Sequence, residues 1–210
     1  MKLPFSIEQF LNIFKIYNES IFPMQIFGYL IGIICIILIF SKYKYSKKVI
    51  FSVLAFYWIW MGLIYHIQYF SSINPIAIGF GIIFIIQGIA FLFQLFLKDS
   101  YNFEYQKKYS NISGLVLIIY GLIIYPILGM FLGHIYPYSP VFSVAPCPTT
   151  IFTFGVLLQY SGKIKIYLII IPVLWSVIGF FAALNLGVIE DTGLLISGLL
   201  TIFCIFKNRK

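Results

Sequence analysis

Charge is what this chain has least of. Only 10% of its 210 residues are Asp, Glu, Lys or Arg, and just six are acidic, against about 25% charged residues in ordinary soluble domains. Long polar stretches are missing as well: none outside the apolar runs exceeds about 20 residues, short of the roughly 50 that a separate folded domain needs. A single domain over residues 1–210 is therefore expected. Cysteine is scarce. Of the three, Cys35 falls mid-span and Cys204 toward the inner end of its span, which leaves Cys147 alone on the outer side and no disulfide within the chain. No phosphate-binding glycine loop, Gly-x-Ser-x-Gly elbow or His-Glu-x-x-His pair occurs, which argues against the commoner enzyme classes. Met1 to Asn18 lack both a basic start leading into an apolar core and a small-residue cleavage site, so the mature chain is expected to begin near Met1.

What the chain does have is hydrocarbon: 61% of residues are apolar and the mean hydropathy is +1.01. A run of about 20 apolar residues crosses the roughly 30 Å lipid core as a helix, the form that satisfies its own backbone there. Six runs qualify: Ile21 to Phe40, Val49 to Phe70, Pro75 to Leu97, Ile112 to Gly133, Ile164 to Leu186 and Asp191 to Phe206. A seventh, Pro148 to Tyr160, is short, because about 13 helical residues at 1.5 Å each reach only about 20 Å. Positive charge decides whether it crosses, since Lys and Arg stay on the cytoplasmic side of short loops. With seven crossings, Lys42 to Lys48, Lys98 to Lys108, Lys163 and Lys165, and the basic tail 207–210 share one face, twelve of the fourteen basic residues. With six crossings the clusters split. The expectation is an all-α integral membrane bundle of seven spans over residues 21–206, N-terminus outside and C-terminus cytoplasmic, with a short or broken fifth helix. The excess of basic residues serves orientation, and nucleic-acid binding is not expected.

Before the first span, Ile7, Phe10, Leu11 and Phe14 fall on one helical face, and Ser6 and Gln9 stand at capping-box spacing. Residues 1–20 read as an amphipathic helix on the outer leaflet, or alternatively as a first turn tucked against the bundle.

Residues 133–150 carry four prolines and cannot be helical throughout. Non-helical backbone at membrane depth is tolerated where protein buries it or water fills a cavity beside it, so an outward-opening pocket is expected. Pro148 suits a first helical turn, and Thr149 and Thr150 then either satisfy that helix end or help it hold an anion, a carboxylate or water. The seven-span threading brings His66, Asn74, His134, Cys147, Glu190 and Asp191 to the same side. Each has a plainer reading. Glu190 and Asp191 complement a helix N-terminus, the histidines sit at an interface, and Cys147 is a small buried side chain. A metal held by His66, His134 and Cys147 lacks compact ligand spacing, and no cofactor is indicated. Gly28-x-x-x-Gly32 and Gly129-x-x-x-Gly133 suit close helix contacts, while Pro126 and Pro172 should kink spans four and six. Gln87 makes either an interhelical hydrogen bond or a pocket floor.

The stretches PFSIEQFLNIFKIYNESIFPMQ, YHIQYFSSINPIAIGFG, YPILGMFLGHIYP, APCPTTIFTFGVLL and IPVLWSVIGFFAALNLGVIED resemble a bacterial family of uncharacterised multi-pass membrane proteins. That family carries only a domain-of-unknown-function label. Its pattern has Gly where this chain has Ser143. The resemblance implies a bacterial cytoplasmic membrane location and no activity. The leading functional expectation is binding or transport of a small polar solute or ion through the outer pocket. The alternatives are a membrane metal-binding or redox enzyme and a non-catalytic assembly partner or scaffold; the lipid bilayer is the one partner the sequence requires.

Overall fold

The computed structural model describes residues 4–41, 43–98 and 100–207; of the fourteen basic residues counted above, Lys2, Lys42, Arg209 and Lys210 lie outside the described residues. Among the described residues there are eight helices and no strand. They are α1 (Ile7–Ser20), α2 (Met24–Ser41), α3 (Ser46–Ser72), α4 (Ala77–Phe93), α5 (Tyr109–Phe131), α6 (Pro146–Leu157), α7 (Ile170–Leu186) and α8 (Ile189–Lys207). By length and composition α2, α3, α5 and α8 can each cross a membrane; α4, α6 and α7 are apolar but shorter.

Polarity is inverted relative to a protein in water. Phe27, Leu30, Ile37 and Phe40 of α2, Ile86 and Ile89 of α4 and Leu199 and Phe203 of α8 are exposed. His66, Gln87, Gln159, Ser197 and Thr201 are buried. An apolar exterior of this extent is compatible with a membrane setting, where polar side chains turned inward find partners that lipid lacks. Gln87, for instance, donates to the Leu168 carbonyl at 3.2 Å, an interhelical bond.

α6 is the axis. Every residue in it except Cys147 is buried, so its length of 12 residues never has to match a lipid layer. Glycines let α5 approach it closely: a Cβ on Gly155 would stand 2.6 Å from the Gly114 carbonyl oxygen, and one on Gly121 would stand 2.8 Å from that of Pro148. The Trp58 indole donates to Thr153 at 3.0 Å. At the far end the Asn111 side chain donates to the Leu158 carbonyl and to Oε1 of Gln159, and the Gln159 side chain donates back to the Asn111 carbonyl.

The helix begins at Pro146, two residues before the expected Pro148. Prolines thus fill its first and third positions, where no N–H is needed. The space above this short helix is taken by residues 141–145. Phe142 is wedged between Tyr29, Tyr57 and Phe152, at ring separations of 5.1, 5.6 and 4.8 Å. The glycines of α2 receive this segment together with Tyr57 of α3: Gly28 faces Ser143 and its carbonyl accepts the Tyr57 hydroxyl at 2.7 Å, while Gly32 faces Phe142 and the Tyr57 hydroxyl. Gly129 and Gly133 do not act as a pair either. Gly129 faces Glu190 and His134, while Gly133 turns the chain with φ +90°. Pro172 falls in the first turn of α7, where its missing N–H costs no intrahelical bond.

Two stretches close i→i+5 hydrogen bonds instead of i→i+4: Met61–Tyr69 in α3 and Tyr120–Ile124 in α5, the latter just before Pro126. In such a turn, side chains five apart stack on one face. Trp60, Tyr65 and Phe70 all meet α1 in this way. The Trp60 indole donates to the Tyr17 hydroxyl at 2.9 Å, Tyr65 lies 5.4 Å from both the Phe14 and Tyr17 rings, and Phe70 lies 5.4 Å from Phe5. Both bonds of the Ser6–Gln9 capping box are present, at 3.2 and 2.9 Å. α1 is held against the bundle, with Tyr17 donating to the Val144 carbonyl and Asn18 to those of Pro137 and Ser139. Burial raises the Tyr17 hydroxyl pKa well above the usual tyrosine range, so it serves as a neutral donor.

The basic loops meet at the opposite end. Asn102 bonds Tyr43 and Lys47, the backbone of Glu104 pairs with Gln159, and Lys207 lies over the Tyr109 ring.

Candidate functional site

At the α1 end, the eight side chains singled out above separate into three groups. Asn74, Cys147 and Asp191 line one cavity of about 640 Å³. Its remaining walls are apolar apart from Asn185 and the Tyr65 hydroxyl: Phe5, Phe10 and Phe14 come from the N-terminal segment, Phe80 from α4, and Trp175, Ile178 and Phe181 from α7. Ile76 and Phe181 at its margin are 66% and 58% exposed, so the cavity adjoins the apolar exterior.

His134 and Glu190 form the second group, behind that cavity. Nδ1 of His134 lies 2.7 Å from Oε1 of Glu190, with both residues buried. Gly129 gives the carboxylate room, since a Cβ there would stand 3.3 Å from Oε1. Oε2 of Glu190 is buried without a hydrogen-bond partner among the described residues.

The third group lies away from the cavity lining. Thr149 is spent on local structure: its hydroxyl donates to the Ala145 carbonyl at 2.7 Å and accepts the Ser143 N–H at 2.9 Å. Thr150 is fully buried, and its hydroxyl has no partner among the described residues. With prolines at positions one and three, only Cys147 carries an N–H among the first three residues of α6, which removes most of the donors that an anion site at a helix start would use. His66 is enclosed by aromatic rings, with Phe84 at 4.6 Å and Trp175 at 5.1 Å, and both ring nitrogens lack partners among the described residues.

The expected metal set of His66, His134 and Cys147 is not assembled: among the described residues no three of His, Cys, Asp and Glu gather into a group that could hold an ion. The physical reason is radial position. His66 points into aromatic packing, whereas His134 is committed to Glu190.

Three participants were not singled out in the sequence. Tyr125 donates to Oδ1 of Asp191, Tyr120 donates to the Glu190 carbonyl at 2.8 Å, and Trp175 lines the cavity with its Nε1 buried and without a hydrogen bond within ordinary distance among the described residues. In a regular α-helix positions 120 and 125 diverge by about 140°. The turn of i→i+5 bonding between them sets both hydroxyls on α8. The Cys147 thiol lies beside Asp191 and Trp175. The polar corner of the cavity is therefore a carboxylate held by a tyrosine, a thiol and an indole N–H, set into hydrocarbon walls.

A family model described as a family of unknown function, DUF6064, matches residues 7–210. No curated protein matches this chain, and no solved structure does.

Proposed function

Because the chain belongs to the DUF6064 family of unknown function, we propose a reading from its geometry: a multi-pass membrane protein that binds a largely apolar small molecule by one hydrogen-bonding head group. Seven spans are taken from the seven apolar helices α2 to α8, with α1 outside and the basic loops cytoplasmic. The bacterial cytoplasmic membrane is the setting that the family resemblance favours.

One observation carries the reading. The cavity's size lies within the roughly 300–1,000 Å³ of small-molecule sites, and its walls are mainly aromatic and aliphatic, with polar groups only at the Asp191 corner and at Tyr65, Asn74 and Asn185. A small polar solute or ion would forfeit its hydration against such walls, so the sequence-based expectation of a polar cargo is disfavoured. A ligand with an apolar body and a hydroxyl or amine head loses nothing by burial and can donate to Asp191. Access from the bilayer past Ile76 and Phe181 suits a molecule that already resides in lipid.

The test is photo-crosslinking of a long-chain alcohol carrying a diazirine to the protein in nanodiscs, followed by peptide mapping. Labelled peptides from α1 and α7 are expected. Filling the cavity with Ala182→Trp should reduce labelling at least tenfold, and Asp191→Asn should reduce it less. Labelling that persists undiminished in Ala182→Trp removes the cavity as the site.

A further inference from the structure

A second cavity, about 440 Å³, lies at the opposite end, among the basic loops. Its upper wall is the start of α5 and its lower walls are Tyr160 to Ile164 and Ile205 of α8. Three features point to one kind of ligand.

The first is charge. Lys108 and Lys163 both line the cavity, and neither has an ion-pair partner among the described residues. The second is the helix start. α5 begins after Lys108 with no side-chain cap, and the backbone N–H groups of Tyr109, Ser110 and Asn111 have no acceptor among the described residues. Such a terminus presents donors and partial positive charge. The third is Ser110. It lines the cavity at 4% exposure, and its hydroxyl has no partner among the described residues. The residue is packed in place while its hydroxyl oxygen stays open to the cavity, free to bond a ligand there.

The frame around these donors is firm. Asn111 is clamped to Leu158 and Gln159, and the backbone of residues 102–104 is bonded to that of 159–161. Leu158, Ile164 and Ile205 add apolar wall to the same cavity. Glu104 also lines it, with its carboxylate engaged by Gln106. A negative group beside two lysines leaves room for one phosphate and disfavours a ligand of several negative charges.

We propose that this inner-end cavity binds a single phosphate group, carried by a phospholipid head whose acyl chains run along Leu158, Ile164 and Ile205 or supplied as a free phosphate ion. Lys108, Lys163, the Ser110 hydroxyl and the first-turn N–H groups of α5 hold it. The inference does not depend on the outer cavity; it uses the seven-span orientation only to name the cytoplasmic leaflet.

The test uses the full-length protein purified from membranes. In one arm, native mass spectrometry from nanodiscs of phosphatidylethanolamine with phosphatidylglycerol counts retained phospholipid. In the other, delipidated protein is titrated with inorganic phosphate and thermal unfolding is followed, with chloride at equal ionic strength as the reference. Retained lipid that falls at least tenfold in Lys108→Gln/Lys163→Gln and in Ser110→Ala, but not in Lys44→Gln/Lys48→Gln, supports the lipid source. Stabilisation by millimolar phosphate that those same variants abolish supports the free ion. Ser110→Ala is a small change at a helix start and keeps the assay meaningful if the lysine pair proves disruptive. Equal retention in all variants together with no phosphate-specific stabilisation overturns the proposal.

Discussion

α2 and α6 are both apolar helices, and they face opposite demands. Only 28% of α2 is buried, and its outward residues Phe27, Leu30, Ile34 and Ile37 are aliphatic or aromatic without exception. α6 is enclosed on all sides, and it is there that the threonines fall: Thr149 and Thr153 return hydrogen bonds to backbone carbonyls four residues earlier. Hydropathy in this molecule therefore reports the solvent each face meets. The outward-facing helix is uniform, as a face suited to hydrocarbon is, whereas the axial helix carries hydroxyls because protein surrounds them. Length follows the same difference: α2, with 18 residues, is long and apolar enough to cross a membrane, and α6 can stop at 12 because Phe142 and its neighbours complete the column above it.

The sharpest way to break the comparison is to remove that completion. Phe142 is 1% exposed and touches three aromatic rings. Phe142→Ala should cost about 3–5 kcal/mol, as emptied aromatic sites in packed cores do. Leu30→Ala, at a side chain 55% exposed on α2, should change stability by less than about 0.5 kcal/mol, as substitutions away from packed features do. Reversible unfolding in mixed micelles, followed by tryptophan fluorescence, measures both. Similar losses at the two sites would mean that α6 is not the structural axis.

A smaller effect is expected where α5 crosses α6. Gly155→Ala places a methyl 2.6 Å from the Gly114 carbonyl oxygen and 2.8 Å from the Ile118 backbone nitrogen, an overpacking that should cost about 1–3 kcal/mol. Gly79→Ala, with nothing within 4 Å of the added carbon, should be neutral or stabilise by up to about 1 kcal/mol through helix propensity. The pair of melting curves in the same detergent checks the sign as well as the size: a stabilising Gly155→Ala would contradict the close approach.

How far the sequence disclosed this arrangement depends on the range of the interaction. Local chemistry was readable: the Ser6–Gln9 cap, the apolar runs and the grouping of basic loops all follow from residues near one another in the chain. The turn position of Pro146 was missed by two residues because three prolines in nine offer several acceptable starts. Long-range partners were out of reach. His134 meets Glu190 across 56 positions, and only the packing of α5 on α8 selects that pair. Tyr120 and Tyr125 were hidden for a different reason, since 3.6-residue periodicity sends them to different faces and a local widening of the helix brings them back together. The cavity beside Asp191 depends on α1 roofing it with Phe10 and Phe14, and no periodicity in α1 says what lies beneath.

Ser143 tests the wedge most gently. It is the one described non-glycine residue with positive φ, at +77°, a conformation that costs most L-residues about 1–2 kcal/mol. Its side chain fills the notch over Gly28, yet the hydroxyl is buried without a partner among the described residues. Ser143→Gly relieves both the backbone strain and the unpaired hydroxyl. Against that stand a small void and the extra freedom glycine gives the unfolded chain, worth about 0.5–1 kcal/mol. The balance predicts a net gain of about 1 kcal/mol, within the range seen for residues relieved of an incompatible φ. Ser143→Ala keeps the strained backbone while removing the hydroxyl, so its stability should fall between glycine and serine. The order Gly above Ala above Ser in micelle unfolding identifies backbone strain as the dominant cost. Were serine the most stable of the three, contact with Gly28 would outweigh that strain, and the loop would be held to α2 by the side chain itself.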